Sequence, residues 1–182
     1  MKKDVFDKFL SYIFLFFVFA IGGYIWEVIL KLVQTGNLVN TGSTLGPWLQ
    51  IYGVGGLLIV LLFKRFKNRP IVVFLLSLIV CTTIEYIASW HSEVTRGIRW
   101  WDYSNYFLNI NGRVCLEGAI TFGLAGCLVI YFIEPWAMKL FKKIPKKVMI
   151  VILIILVSLF IADLIYSFFN PNVGEGITYT YT

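Results

Sequence analysis

Charge is scarce in this chain. Only 14% of its 182 residues are Asp, Glu, Lys or Arg, against about 25% in ordinary soluble domains. Together with 59% hydrophobic residues and a mean hydropathy of +0.81, that excludes a soluble globular protein. Histidine is scarcer still. His91 is the only one, so a His-rich zinc site is excluded. The cysteines, Cys81, Cys115 and Cys127, all sit in apolar segments at different depths, and no disulfide is expected. No Gly-x-x-x-x-Gly-Lys-Ser/Thr occurs, so any ATP hydrolysis requires a separate subunit. The sequence points to no metal and no cofactor.

Long apolar runs take the place of charge. They predict an all-α membrane protein, a single polytopic domain over 1–182, built as a bundle of five transmembrane helices at about 9–33, 47–63, 71–90, 114–133 and 148–169. The first run is much longer than the ~7 to 15 residues of a signal-peptide core, so it reads as a retained helix. Gly46-Pro47-Trp48 opens the second span and Pro70 the third, while Glu134-Pro135 ends the fourth and Asn170-Pro171 the fifth.

Lysine and arginine set the orientation, because inner loops carry their excess. With five spans the N-terminal lysines, Lys64 to Arg69 and Lys139 to Lys147 all fall on one side, which puts the N-terminus inside and the C-terminus outside. Twelve Lys/Arg then face Asp4, Asp7 and Glu134 on the inner side, a net +9. The outer half, with Glu175 among its acids, carries four against seven, a net −3. The basic balance therefore reflects membrane topology and attraction to anionic lipid, not nucleic-acid binding. Pro135 to Lys147 mixes Trp136, Leu140 and Phe141 with lysines and is expected to lie along the inner interface as a short amphipathic segment between spans four and five.

Four acids interrupt the apolar runs: Glu27, Glu85, Glu117 and Asp163. An unpaired charge at membrane depth costs about 2.5 to 3.5 kcal/mol even on the lenient insertion scale. At 1.5 Å of rise per residue, all four fall within roughly 5 to 10 Å of the outer boundary. Arg113 and Glu117, at i and i+4, are expected to share a helix face and pair. Glu27, Glu85 and Asp163 lack such a neighbour and are the acids most in need of a partner. Interhelical glue, worth about 0.6 kcal/mol per contact, is the bland alternative.

The outer loop from His91 to Gly112 is the second polar concentration. An aromatic belt explains its tryptophans. Asp102, His91, Glu93, Arg96 and Arg99 in the same stretch are what a clamp for a polar headgroup or small charged ligand would contain, with Trp101, Tyr103 and Arg113 beside them.

Trp100-Trp101-Asp102-Tyr103-Ser104, followed by Asn109-Ile110-Asn111-Gly112-Arg113-Val114-Cys115-Leu116, resembles the signature of the Putative ABC-transporter type IV family, the CmpB-like permeases of mainly Gram-positive bacteria. Gly23-Tyr24-Ile25-Trp26-Glu27 and Gly46-Pro47-Trp48-Leu49-Gln50-Ile51-Tyr52-Gly53 resemble its other two blocks. Gln50 departs from the pattern, where a second proline is expected. The resemblance implies a small multi-pass permease of the bacterial cytoplasmic membrane.

Two groups of functions stay open on these residues. One is a membrane transport component with an outward-facing acidic pocket for a cation, cationic solute or lipid headgroup, formed by Glu27, Glu85, Asp163, Asp102, Arg113 and Glu117. Its partners are membrane lipids and either a separate ATPase subunit or further copies of the chain. The alternative is a membrane-embedded enzyme acting on an outer-leaflet or lipid-linked substrate, with His91 or a carboxylate as base and Arg99 or Arg113 on a phosphate, or else a structural or sensory membrane subunit. No catalytic constellation surrounds His91.

Overall fold

A computed structural model describes residues 2–172 and 179–180, with side chains from 5 to 172; Glu175 lies outside them. In chain order the elements are α1 (Lys2–Thr35), α2 (Gln50–Phe63) with a 3-10 turn (Lys64–Phe66), α3 (Pro70–Arg96), β1 (Ile98–Arg99) and α4 (Leu116–Leu128). A π-helical stretch (Val129–Ile133) follows, then α5 (Glu134–Lys143), α6 (Lys146–Phe169) and β2 (Tyr179–Thr180). Four helical segments are long and apolar enough to cross a membrane: Val5–Thr35, Pro70–Arg96, Leu116–Lys143 and Lys146–Phe169. α2 has 14 residues, roughly 21 Å of helix where a crossing takes about 30 Å.

The chain divides into two compact units, Met1–Leu57 with Ile133–Val173 and Leu58–Phe132 with Gly174–Thr182. The core of the first is aromatic. Leu10, Phe17 and Ala20 of α1 meet Trp48 and the α6 residues Met149 and Leu153, and the rings of Phe17, Trp48 and Phe160 pack edge to face at 5.6 to 6.4 Å. Such pairs add about 0.5 to 1.5 kcal/mol each beyond the area they bury. α5 joins this core through Phe141, against Phe14 at 5.6 Å, and its Ala137 is fully buried.

The second unit is held by α3 against α4, and its polarity is inverted. The residues α3 buries are Val73, Ser77, Glu85, Ser89 and Ser92, while Ile71, Leu75, Ile79, Ile87, Trp90 and Val94 are exposed. A helix on a water-soluble core shows the reverse. Apolar side chains turned outward cost nothing when hydrocarbon surrounds them, and small buried residues let two helices approach closely. α4 answers with Ala119, Gly123 and Gly126. A Cβ on Gly123 would stand 2.5 Å from the Phe74 ring, and one on Gly126 would stand 2.0 Å from the Ser77 hydroxyl.

Three boundaries differ from the sequence expectation. α3 runs past Trp90 to Arg96, so His91 and Glu93 are helical rather than in a loop. It ends at Gly97, which adopts φ +65° and donates its N–H to the Glu93 carbonyl; glycine takes that conformation without steric penalty. Glu134-Pro135 does not stop a helix. Pro135 falls in the first turn of α5, where its missing N–H is least needed, and the wide turn Val129–Ile133 absorbs the ring. Arg113 is not on a helix at all, since α4 starts at Leu116 after its cap Cys115.

Candidate functional site

In the first unit two of the matched sequence blocks explain each other. Gly23 and Glu27 lie one turn apart on α1. A Cβ on Gly23 would stand 2.3 Å from the Tyr52 ring, so the glycine admits Tyr52 of α2, and the Tyr52 hydroxyl donates to Glu27. Glu27 forms no ion pair among the described residues. Lys31, the next turn along, does not reach it as a salt bridge.

Asp163 of α6 is placed differently. Its carboxylate accepts from the backbone N–H of Leu45 and of Gly46, both at 3.1 Å, from the Trp48 indole at 2.6 Å and from the Ser167 hydroxyl at 3.2 Å. Four donors converge on one carboxyl, so its oxygens are satisfied by hydrogen bonds alone. The same loop is tied a second time, by Asn172, whose amide donates to the Asn40 and Gly42 carbonyls. A Cβ on Gly46 would stand 2.4 Å from the Trp48 indole. The Gly-Pro-Trp block is thus a turn shaped to present two N–H groups and an indole to Asp163.

The second unit gathers the rest. Glu93 accepts from Arg99 Nη2 at 2.9 and 3.0 Å and pairs with Arg113. Arg113 therefore bridges to Glu93 and not to Glu117; Glu117 is exposed in the first turn of α4, where the helix dipole favours an acid. The Arg113 guanidinium lies 5.5 Å from the Tyr86 ring centre, and Asn111 donates to the Tyr86 hydroxyl at 2.8 Å. Trp101 donates its indole N–H to the Arg113 carbonyl at 2.8 Å, and Tyr103 reaches the buried Glu85 at 3.2 Å. Asn111 and Gly112 both adopt positive φ. A side chain at Gly112 would meet Ser104, Asp102 and Arg99.

Asp102 closes the turn. It accepts from the Ser104 hydroxyl at 2.5 Å and the Ser104 N–H at 2.9 Å, with Arg99 at 3.9 Å. These hold its carboxyl below the usual carboxylate range. A depressed pKa means the turn is stabilised above the ordinary Asp value and loses that contribution only as pH falls through the lowered one. Ser104→Ala is expected to move the Asp102 titration upward toward the ordinary value, read by NMR or infrared titration of labelled aspartate.

The structure thus brings Glu85, Arg99, Trp101, Asp102, Tyr103 and Arg113 together, and places Glu27 with Tyr52 and Asp163 with the Gly-Pro-Trp turn. His91 is on an exposed part of α3, and its ring has no hydrogen-bond partner among the described residues. Among the described residues no group of His, Cys, Asp and Glu could hold a metal ion. The sequence shows Trp48 and Tyr52 only as parts of a block and not as partners of Asp163 and Glu27; Tyr86, a candidate partner for the acids, meets Asn111 and Arg113 instead, and Glu93 was not singled out as the hinge of both arginines.

Polar groups turned inward and apolar faces turned outward define a membrane protein with a hydrogen-bonded interior. The chain belongs to the Putative ABC-transporter type IV family, whose model matches residues 14–168 and so takes in Glu27, Tyr52, Asp163 with its Gly-Pro-Trp turn, and the Glu93 cluster. No curated protein and no solved structure matches it.

Proposed function

We propose that this chain is the membrane component of a transporter of the bacterial cytoplasmic membrane, with an outward-facing acidic pocket for a cation, a cationic solute or the cationic part of a lipid headgroup. One observation carries the reading: Glu27, an acid in an apolar helix, meets a tyrosine hydroxyl and no cation among the described residues. A carboxylate in that setting is the usual mark of an ion or substrate path. Asp163, saturated by four donors, serves as an anchor. Glu85 is the corresponding acid of the second unit. ATP hydrolysis is left to a separate subunit.

The charge pattern supports five crossings, with the N-terminus inside and the C-terminus outside. If α2 did not cross, Lys64 to Arg69 and Lys139 to Lys147 would face outward and oppose the positive-inside bias. The short helix suffices when the preceding irregular segment lies at membrane depth, which is tolerated where protein covers it. Thr41, Thr44, Trp48 and Leu49 are buried there.

Native mass spectrometry of purified protein tests the pocket. Wild type is expected to retain a cationic solute or a lipid, and Glu27→Gln to lose it at an unchanged melting temperature. Equal retention in the two proteins, or unfolding of the variant with no bound species in either, would sink the pocket and leave a structural acid.

A further inference from the structure

α5 exposes a face that neither water nor hydrocarbon suits. Its rotation is fixed by Ala137, fully buried, and by Phe141, which packs against the first unit's core together with Ile144 just after the helix. That leaves Trp136 59% and Leu140 37% exposed, one turn apart on the outside, with Lys139, Lys142 and Lys143 exposed around them. Lys147 extends the line onto α6 and Lys8 of α1 lies over the Tyr12 ring. The acids offer little compensation. Asp7 is taken by Lys146, and Glu134 is buried on the opposite side of the helix.

We infer that this face binds the headgroups of acidic phospholipids at the inner boundary of the membrane. In water, Trp136 and Leu140 would be left wet; in hydrocarbon, the ammonium groups would be left dry. At the boundary, indole and Leu140 reach the acyl region while the lysines meet phosphate. Lys139, Lys142, Lys143 and Lys147 have no acid partner among the described residues, so an anionic headgroup is favoured over a zwitterionic one, by roughly fivefold for each lysine near the surface.

This rests on the five-span reading for the side of the membrane, but the binding itself does not. The test is native mass spectrometry from mixed micelles of phosphatidylglycerol and phosphatidylcholine. Wild type should retain phosphatidylglycerol in excess. Lys139→Gln with Lys142→Gln and Lys143→Gln should lower that excess at least tenfold, and Trp136→Ala should weaken retention of both lipids. Replacing Lys64, Arg65 and Lys67 by glutamine removes the same charge elsewhere and should change the ratio little. An equal loss in that control, or an unchanged ratio in the α5 variant, overturns the assignment. Labelling of Lys143→Cys by an impermeant maleimide, with wild type as blank, reports the side separately. Modification from outside would refute the orientation while leaving the lipid ratio to judge the surface.

Discussion

Asp163→Ala is expected to cost about 3 kcal/mol: of its four donors the exposed Leu45 N–H can turn to solvent, but the part-buried Gly46 N–H, Trp48 indole and Ser167 hydroxyl are stranded, and a donor left unpaired away from water costs about 1 to 3 kcal/mol. At roughly 2 to 4 °C per kcal/mol for a chain of this size, the melting temperature in detergent should fall by on the order of 10 °C. Asp163→Asn should fall between the two proteins, since it keeps one acceptor oxygen but turns an NH2 group toward the same donors. Trp48→Phe removes one donor, and it should be less damaging in the Asp163→Ala background than in wild type. Unfolding followed by tryptophan fluorescence decides the matter. A variant that melts like wild type would mean that the turn does not depend on α6, and Asp163 would return to the list of ligand-binding acids.

The second large effect belongs to Gly126. Its missing Cβ would lie 2.0 Å from the Ser77 hydroxyl oxygen and 2.3 Å from the Ser77 Cβ, and a Cβ cannot swing aside as a flexible chain end can. Gly126→Ala should therefore force α3 and α4 apart and cost about 3 kcal/mol, at the upper end of ordinary overpacking. Ser77→Gly removes both offending atoms. The double variant should recover most of the loss, measured as the fraction of monodisperse protein after heating. Equal damage in single and double variants would show that the two helices do not meet at this point.

Much of the fold was legible because α1, α3, α6 and the helical segment Leu116–Lys143 are long and apolar, which composition alone reveals. The acids stood out for the same reason. Their partners did not, since Asp163 is met by backbone groups 117 and 118 residues earlier in the chain, and a backbone N–H leaves no trace in sequence. Arg113 and Glu117 show the opposite failure: their spacing suggests a shared face only if both are helical, and the helix begins after Arg113. Glu93 was hidden by ending α3 at an aromatic residue. Gly97, a helix-ending glycine after Arg96, was the available signal. Pro135 was read as a stop because the rule for prolines assumes a regular α-helix, and the π-helical turn before it relaxes that assumption.

The serines that α3 turns inward also bear on temperature. Hydrophobic cores leave a large positive heat-capacity change on unfolding, because apolar surface goes from protein to water. When α3 and α4 separate within a bilayer, Ile79 and Leu75 stay in hydrocarbon and the newly bared groups are Ser77, Gly123 and Gly126. Little apolar surface reaches water. The pair should have a nearly flat heat-capacity signature and no weakening on cooling, so its cohesion depends on the fit of Ser77 against Gly126 and of Phe74 against Gly123 at every temperature at which the membrane is fluid.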